Sequence, residues 1–415
     1  MPSFDASAVP LALIALCERF RQHGYKAWAV GGAVRDVCLG RPVADWDVAT
    51  TALPGQVCDV FRRVIPTGID HGTVTVIWEK KPYEVTTLRS ERGYTDGRRP
   101  DQVTFVEHIE EDLARRDFTV NAMAYDPLTE TLVDPYSGIQ DIRDRRLRTV
   151  GDPFLRFSED GLRVVRAARF VATLEFALDK ATEAAIAPSL SVYRKVAHER
   201  VRDEWLKCMA ANKPSLGFEV MQRTGILSVT LPELLGQVGC EQNRWHAYDV
   251  WKHTLECVDA LPSADVTVRM AGLLHDLGKP QTRAVSEKTG DYTFYHHETL
   301  GADIADRWLQ DYRFPNADRA RIVALIRHHL ICYASEWSDA AVRRFLKRVG
   351  IEYVADLLQL ARADVLAKGR PVQEELKLLD ELERRIATVM DENQPLSVRD
   401  LAINGRDLMQ HCALK

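Results

Sequence analysis

Apolar and polar positions follow two different rhythms along the 415 residues. Up to about residue 150, short β-branched runs recur between turn signals. Their spacing predicts strands over 26–31, 45–49, 72–78, 82–88, 103–106 and 119–125. Apolar residues three and four apart predict helices over 11–22, 33–39, 55–63 and 109–116. From Pro153 onward the strand signals fade. Segments 154–175, 180–189, 196–211 and 215–224 read as helices, as do most segments to the end. The pattern predicts an α/β N-terminal domain followed by all-α regions. Gly/Pro punctuation and changes of motif divide the chain into 1–150, 151–235, 236–370 and 371–415.

Length allows two to four domains with cores of their own. No apolar run reaches a membrane span, and MPSFDASAVP at the N-terminus lacks a basic, apolar leader pattern. The expectation is a soluble, cytoplasmic protein with no membrane partner. Eight scattered cysteines without C-x-x-C indicate neither a zinc knuckle nor a disulfide framework. A net charge of −5 argues against indiscriminate nucleic-acid binding. Yet Arg143, Arg145, Arg146, Arg148, Arg156, Arg163, Arg166 and Arg169 crowd one stretch, as a phosphate-binding groove or as a salt-bridged helix surface. Nothing in the sequence signals an oligomeric state.

The densest chemistry lies in WAVGGAVRDVCLGRPVADWDVAT, which holds Gly31, Gly32, Arg35, Asp36, Asp45 and Asp47. Alternate residues on a strand share a face, so Asp45 and Asp47 are expected to aim two carboxylates at one point. Carboxylates suit Mg²⁺, which is held by one or two of them together with substrate phosphates. The glycines let the backbone approach a phosphate beside a helix N-terminus. Glu84, in the half-buried run PYEVTTL, supplies a third acid, either salt-bridged or a metal ligand. Metal, triphosphate and nucleophile would meet here, which suggests nucleotidyl transfer.

Three later segments add to this picture. LRSERGYTDGRRPD (88–101) is too polar to bury itself and reads as a mobile loop. ARRDFTVNAMAYD (114–126) brings Arg116 for phosphate oxygens and Asp117 and Asn121 for ribose hydroxyls. In FSEDGLRVVRAARF (157–170), Asp160 and Arg163 fall one helical turn apart, with Glu159 also one turn from Arg163. They form a surface salt bridge, or they read a base: the carboxylate accepts from an exocyclic amino group while the guanidinium donates to its neighbouring acceptor.

In this order, GGAVRDVCLGRPVADWDVAT, RRDFTVNAMAYD, DPYSGIQD, EDGLRVVRAARF and HERVRDEWLKCM resemble the motifs of the bacterial class II CCA-adding tRNA nucleotidyltransferase and poly(A) polymerase family. The resemblance implies a polymerase-β-like head, a helical neck, and addition of C, C and A to tRNA 3′ ends from CTP and ATP. By position it assigns Asp45 and Asp47 to Mg²⁺, with Glu84 as the superfamily's third acid. It assigns Asp160 and Arg163 to the incoming base. Nucleotide contacts fall to Gly31, Gly32, Arg35, Arg116, Asp117, Asn121 and Arg166. The loop with Arg98-Arg99-Pro100-Asp101 disfavours a CC-only product, and IPTGIDHGTVTV (65–76) replaces an arginine-rich poly(A) polymerase signature. CCA addition is therefore expected first, with A-addition or poly(A) synthesis as alternatives. RNA would be recognised by shape and backbone.

Residues 246–330 carry a second constellation: HAYDVWKHTL, MAGLLHDLGKP, YHHETLGAD and IRHHL. His253, His275, Asp276 and His297 read as imidazole and carboxylate ligands of a divalent transition metal. The pattern resembles an HD phosphohydrolase domain, whose distal aspartate would be Asp364. That resemblance suggests phosphatase or 2′,3′-cyclic phosphodiesterase action on RNA ends. A contrasting reading makes this domain the principal enzyme and the head a regulatory nucleotide sensor. The tail LSVRDLAINGRDLMQ (396–410) resembles the start of a longer helical element that contacts RNA.

Overall fold

A computed structural model describes residues 4–69, 72–92 and 102–391. The chain forms two compact units, one of residues 1–201 and 219–229, the other of 202–218 and 230–415.

The first unit opens with α1 (Leu11–Gln22), which buries Leu13, Leu16, Cys17 and Phe20. Then follow β1 (Ala27–Val30), α2 (Gly32–Cys38), β2 (Asp47–Thr50), α3 (Pro54–Val60), β3 (Val64–Gly68), β4 (Thr73–Trp78) and β5 (Lys81–Thr87). Next come β6 (Arg89–Arg92), β7 (Gln102–Phe105), α4 (Ile109–Ala114), β8 (Ala124–Asp126), β9 (Thr131–Val133) and α5 (Gly138–Arg143). Seven strands form one mixed sheet in the order β3-β4-β5-β2-β1-β8-β9. β2 and β5 pair in parallel, which their long crossover through α3, β3 and β4 permits. β4 turns directly into β5 through Glu79 and Lys80, both at positive φ (47° and 67°) as a two-residue hairpin requires. Beneath the sheet, Trp28, Val30, Ala49, Leu88, Leu113 and Ala124 belong to one apolar cluster.

The pattern expected from sequence holds for most elements and fails at identifiable places. The strand predicted over 119–125 is instead a 3₁₀ turn, Thr119–Asn121, followed by β8. Side-chain bonds hold that turn: Thr119 Oγ1 donates to Asp141 at 2.7 Å, and Asn121 Nδ2 to Asp117 at 3.2 Å. The helix predicted over 55–63 ends at Val60, and β3 follows as an exposed edge strand whose Pro66 breaks the strand signal. Within the predicted loop 88–101, residues 89–92 pair with 102–105 as β6 and β7; residues 93–101 lie outside the described residues. The helix predicted over 154–175 is two, α6 (Pro153–Glu159) and α7 (Leu162–Leu174).

The second unit is mainly helical. Its helices include Val250–Ala260, Val266–Leu274, His297–Asp311, Asn316–His328, Asp339–Val349, Ile351–Leu366 and Gln373–Asp391. The all-α expectation needs two corrections among the described residues: a two-stranded ribbon of Ala284–Val285 and Tyr292–Thr293, and, in the first unit, a strand Ala177–Leu178 that pairs in parallel with Arg146–Leu147. The tail motif 396–410 lies outside the described residues.

Candidate active site and metal centre

β1 ends at Val30 because the chain turns there through Gly31, at φ 75°. A side chain would be strained at that φ, and a Cβ would stand 2.8 Å from Arg116 Nη1. The last β1–β2 pair is therefore Val30 with Asp47, and β2 starts at Asp47. This corrects the expected placement of both aspartates on one strand. Asp45 precedes the strand, exposed, with no β1 backbone left to pair against. Asp47 instead faces Glu84, its register partner on β5. Asp47 opens into a cavity yet is packed closely enough that burial and then Glu84 push its carboxyl up to about 6, with Arg116 opposing.

The cavity has a volume of about 560 Å³, and both Asp47 and Glu84 line it. Eight arginines also line it (35, 89, 115, 116, 163, 166, 169 and 200), against four acids (Asp47, Glu84, Asp117 and Asp160). Such an excess of positive charge suits a polyphosphate. Arg35 donates to Asn121 Oδ1 at 2.6 Å and to Asp36 at 2.9 Å. Buried Asp112 holds Arg115 at 2.8 Å and Arg116 at 3.4 Å. Asp117 accepts from Arg166 at 2.6 Å and from Asn121. Burial alone would raise the Asp117 pKa, but Arg166 holds it far below the ordinary carboxylate range.

Asp160 and Arg163 are not one turn apart on a single helix. Asp160 has an extended backbone (φ −139°, ψ 108°) between α6 and α7. Its carboxylate meets Arg200 at 2.9 Å, whereas Arg163 is ion-paired with Glu159 and donates to the carbonyls of Arg156 and Arg115. Both still line the cavity. On α7, Arg163, Arg166, Arg169 and Phe170 form one stripe facing it, and Arg169 lies 3.5 Å over the Phe170 ring. The arginine run thus divides, since Arg146 and Arg148 clasp buried Asp141 at 2.6 and 2.8 Å. Sequence reasoning had Arg169 only in the arginine run and left out Phe170, although its spacing on α7 carried the signal. Arg200 was also missed: nothing in the sequence pairs it with an acid 40 residues earlier.

In the second unit, His253, His275, Asp276, His297 and Asp364 converge, joined by His329, which sequence reasoning missed although IRHHL contains it. Close packing makes this possible: a Cβ on Gly278 would lie 2.2 Å from the His297 carbonyl. Among the described residues, candidate ligand atoms gather into two groups, His253–His275–Asp364 and Asp276–His297–His329, each within 4.8 Å. The Nδ1 atoms face backbone carbonyls: Ala367 for His253 (3.2 Å), Gly272 for His275, Phe294 for His297 and Ile326 for His329 (2.7 Å each). A carbonyl only accepts, so Nδ1 carries the hydrogen and Nε2 offers a lone pair to the centre. The Nε2 atoms of His253 and His275 and both oxygens of Asp276 are buried without a well-aligned hydrogen bond. Burial, then His275 and His297, push His329 down to about 3, keeping it neutral. A buried set of lone pairs and carboxylates fits a divalent transition metal.

Comparisons with known proteins match three stretches of the chain. Residues 27–148 match the Poly A polymerase head domain, 175–236 the "Probable RNA and SrmB- binding site of polymerase A", and 245–392 the HD domain. A CCA-adding enzyme of Lactobacillus johnsonii is 43% identical over 237 residues, 57% of this chain and 58% of that protein. One of Geobacillus stearothermophilus is 45% identical over 224 residues, 54% of this chain and 55% of that protein. The chain thus spans less than two thirds of the length of these curated relatives. The crystal structure of a Bacillus stearothermophilus CCA-adding enzyme in complex with CTP superposes with a TM-score of 0.73 at 31% identity. That likeness covers 97% of this chain and 88% of the other. With head, RNA-binding and HD matches in sequence and one fold running through nearly all of it, the chain belongs to the CCA-adding enzyme family.

Proposed function

We propose that the first unit adds C, C and A to tRNA 3′ ends from CTP and ATP, without a nucleic-acid template and with Mg²⁺ as cofactor. The observation that carries this reading is one cavity holding the register-paired acids Asp47 and Glu84 opposite an arginine stripe. The 3′-hydroxyl oxygen would bond to the α-phosphorus as its bond to the bridging oxygen breaks and pyrophosphate leaves. Asp47, Asp45 and Glu84 would hold Mg²⁺, a reading supported by the register pairing of Asp47 with Glu84, two carboxylates that a cation would relieve. When bound, the ion neutralises phosphate charge and favours attack. Arg116, anchored by Asp112, would hold phosphate oxygens, and Asp117 and Asn121 would orient the ribose hydroxyls. Asp160 would accept from the exocyclic amino group of cytosine or adenine, and Arg163 would donate to the adjacent acceptor. Arg200 and Glu159 would act as their positioning residues. We assign the head to 1–150, the neck to 151–235, the HD domain to 236–370 and an RNA-contacting tail to 371–415.

For the histidine cluster we propose metal-dependent phosphoester hydrolysis on RNA ends, as phosphatase or 2′,3′-cyclic phosphodiesterase; its supporting observation is the convergence of Nε2 lone pairs on Asp276. Among the described residues no helix is long and apolar enough to cross a membrane, and a tRNA substrate would place the work in the cytoplasm.

The test is incubation with Mg²⁺, CTP and ATP, singly and together, on tRNA transcripts lacking CCA or ending in CC. Products are resolved at single-nucleotide resolution. Three additions to the bare transcript are expected. A single A on the CC-ended transcript alone would make this an A-adding enzyme, and a long ATP ladder would make it a poly(A) polymerase. No product would overturn the transferase reading and leave the histidine cluster as the principal site.

A further inference from the structure

We propose that a second cavity, beside the histidine cluster, takes the terminal nucleobase of the RNA end whose phosphoester that cluster would hydrolyse. It rests on that hydrolytic reading and names the part of the substrate that the cavity holds. The cavity has a volume of about 200 Å³ and lies among residues 329–333 and the helices Ile351–Leu366 and Gln373–Asp391. Two of its lining residues, His329 and Asp364, also belong to the histidine cluster. Asp364 is the most open of the six cluster side chains, 20% exposed against at most 6% for the other five. A phosphate reaching the cluster from this side would leave the rest of its nucleotide at the cavity.

The lining suits a base. Leu330, Ala361, Val365, Leu378 and Leu379 give it aliphatic walls, and Tyr333 adds an aromatic ring. The Tyr333 hydroxyl is engaged on both counts: it donates to Glu381 at 2.8 Å and accepts from Arg385 at 3.3 Å. These bonds hold the ring in place, so little rotamer freedom is left to lose when a flat ligand arrives. Any base can stack on such a ring, because every base has a π-face. At the polar edge, Lys368 and Glu375 form an ion pair. An ammonium beside a carboxylate sets a donor next to an acceptor, and the Watson–Crick edge of each base offers the complement. The pair leaves no excess of positive charge for a polyphosphate, in contrast to the arginine-lined cavity of the first unit. At about 200 Å³ the space falls below the roughly 300 Å³ at which drug-sized ligand sites begin, which fits one base.

The full-length protein, stripped with chelator so that nothing is hydrolysed, is irradiated with 8-azidoadenosine 2′-monophosphate. Labelled peptides are then mapped by mass spectrometry. Label is expected within 329–333 or 361–379, and Tyr333→Ala should lower it about 10-fold, the scale of one lost stacking contact. Label confined to the first unit would overturn the base pocket and leave the hydrolytic reading standing. With Co²⁺ restored, kcat/KM is measured for 2′,3′-cyclic AMP and for glycerol 1,2-cyclic phosphate, which lacks a base. Tyr333→Ala should lower the ratio of the two values about 10-fold, and Lys368→Met should lower it too. Equal losses on both substrates would make Tyr333 a structural residue and overturn the pocket. No hydrolysis of either by the wild type would overturn the hydrolytic reading, and photolabelling then decides the pocket alone. Should Tyr333→Ala fail to fold, Lys368→Met carries both comparisons.

Discussion

Asp47 and Glu84 stand directly across from each other in the parallel register of β2 and β5, so two carboxylates open side by side into one basic cavity. Burial, and then this neighbour, push Asp47 up to about 6, with Arg116 opposing. Replacing Asp47 by Asn should lower nucleotide addition by about 10³-fold or more, on the scale of losing a preorganised electrostatic contact. Without metal, the variant should melt at the same temperature as wild type or higher. Mg²⁺ should raise the melting temperature of wild type alone. An unchanged Mg²⁺ shift in Asp47→Asn would remove Asp47 from the ion.

Gly31→Ala tests the approach of Arg116. The substitution meets both a positive φ of 75° and a guanidinium nitrogen 2.8 Å from the new methyl. It should cost about 1–3 kcal/mol in urea unfolding. It should also raise KM for both nucleotides, because Arg116 must move away. Equal affinity in the variant would show that Arg116 does not hold phosphate.

Glu159 positions Arg163 from the preceding turn without itself lining the cavity. Glu159→Gln should raise KM for CTP and ATP together by about 10-fold with a smaller change in kcat, the pattern of lost ground-state positioning. A merely superficial ion pair would leave both constants alone and shift stability by less than about 1 kcal/mol. Steady-state kinetics with each nucleotide separates the two outcomes.

Acid stability of the first unit should depend on Asp112. Burial works against its charge, but Arg115 and Arg116 win and hold its pKa below the ordinary 3.8. A depressed folded-state pKa means that stabilisation is full above the unfolded value and is lost as pH falls through the folded one. Asp112→Asn should cost about 3–5 kcal/mol at neutral pH by leaving two guanidinium groups short of a partner. It should also flatten the decline of stability below about pH 4. Urea midpoints across that range check both, and parallel acid limbs in wild type and variant would sink the assignment.

Most residues that the resemblance assigns to the nucleotide line one cavity, and its motifs are local. Gly31-Gly32, Arg116-Asp117 and Asp160-Gly161 each sit within a few residues of one another, so backbone rules reach them. The failures occurred where side chains overrule backbone propensity. Residues 119–125 look like a strand by apolar content, yet Asp141 and Asp117 hold Thr119 and Asn121 in a turn. Asp160 and Arg163 look like helical neighbours, yet the helix breaks between them: Asp160 meets Arg200, 40 residues on, and Arg163 pairs with Glu159 of the preceding turn.

By itself the sequence determined most of the elements, the α/β head ahead of mainly helical regions, and the two sets of chemistry-bearing side chains, since hydrophobic period and motif spacing are properties of neighbouring residues. Only the tertiary structure decided who faces whom. Strand register set Asp47 against Glu84 and left Asp45 off the strand, because β1 ended where Gly31 turned. Helix packing brought His329 to Asp276 across 53 residues of chain and split one carboxylate between two histidine pairs. Pairings of that range depend on how whole faces bury together, and local pattern carries no record of it.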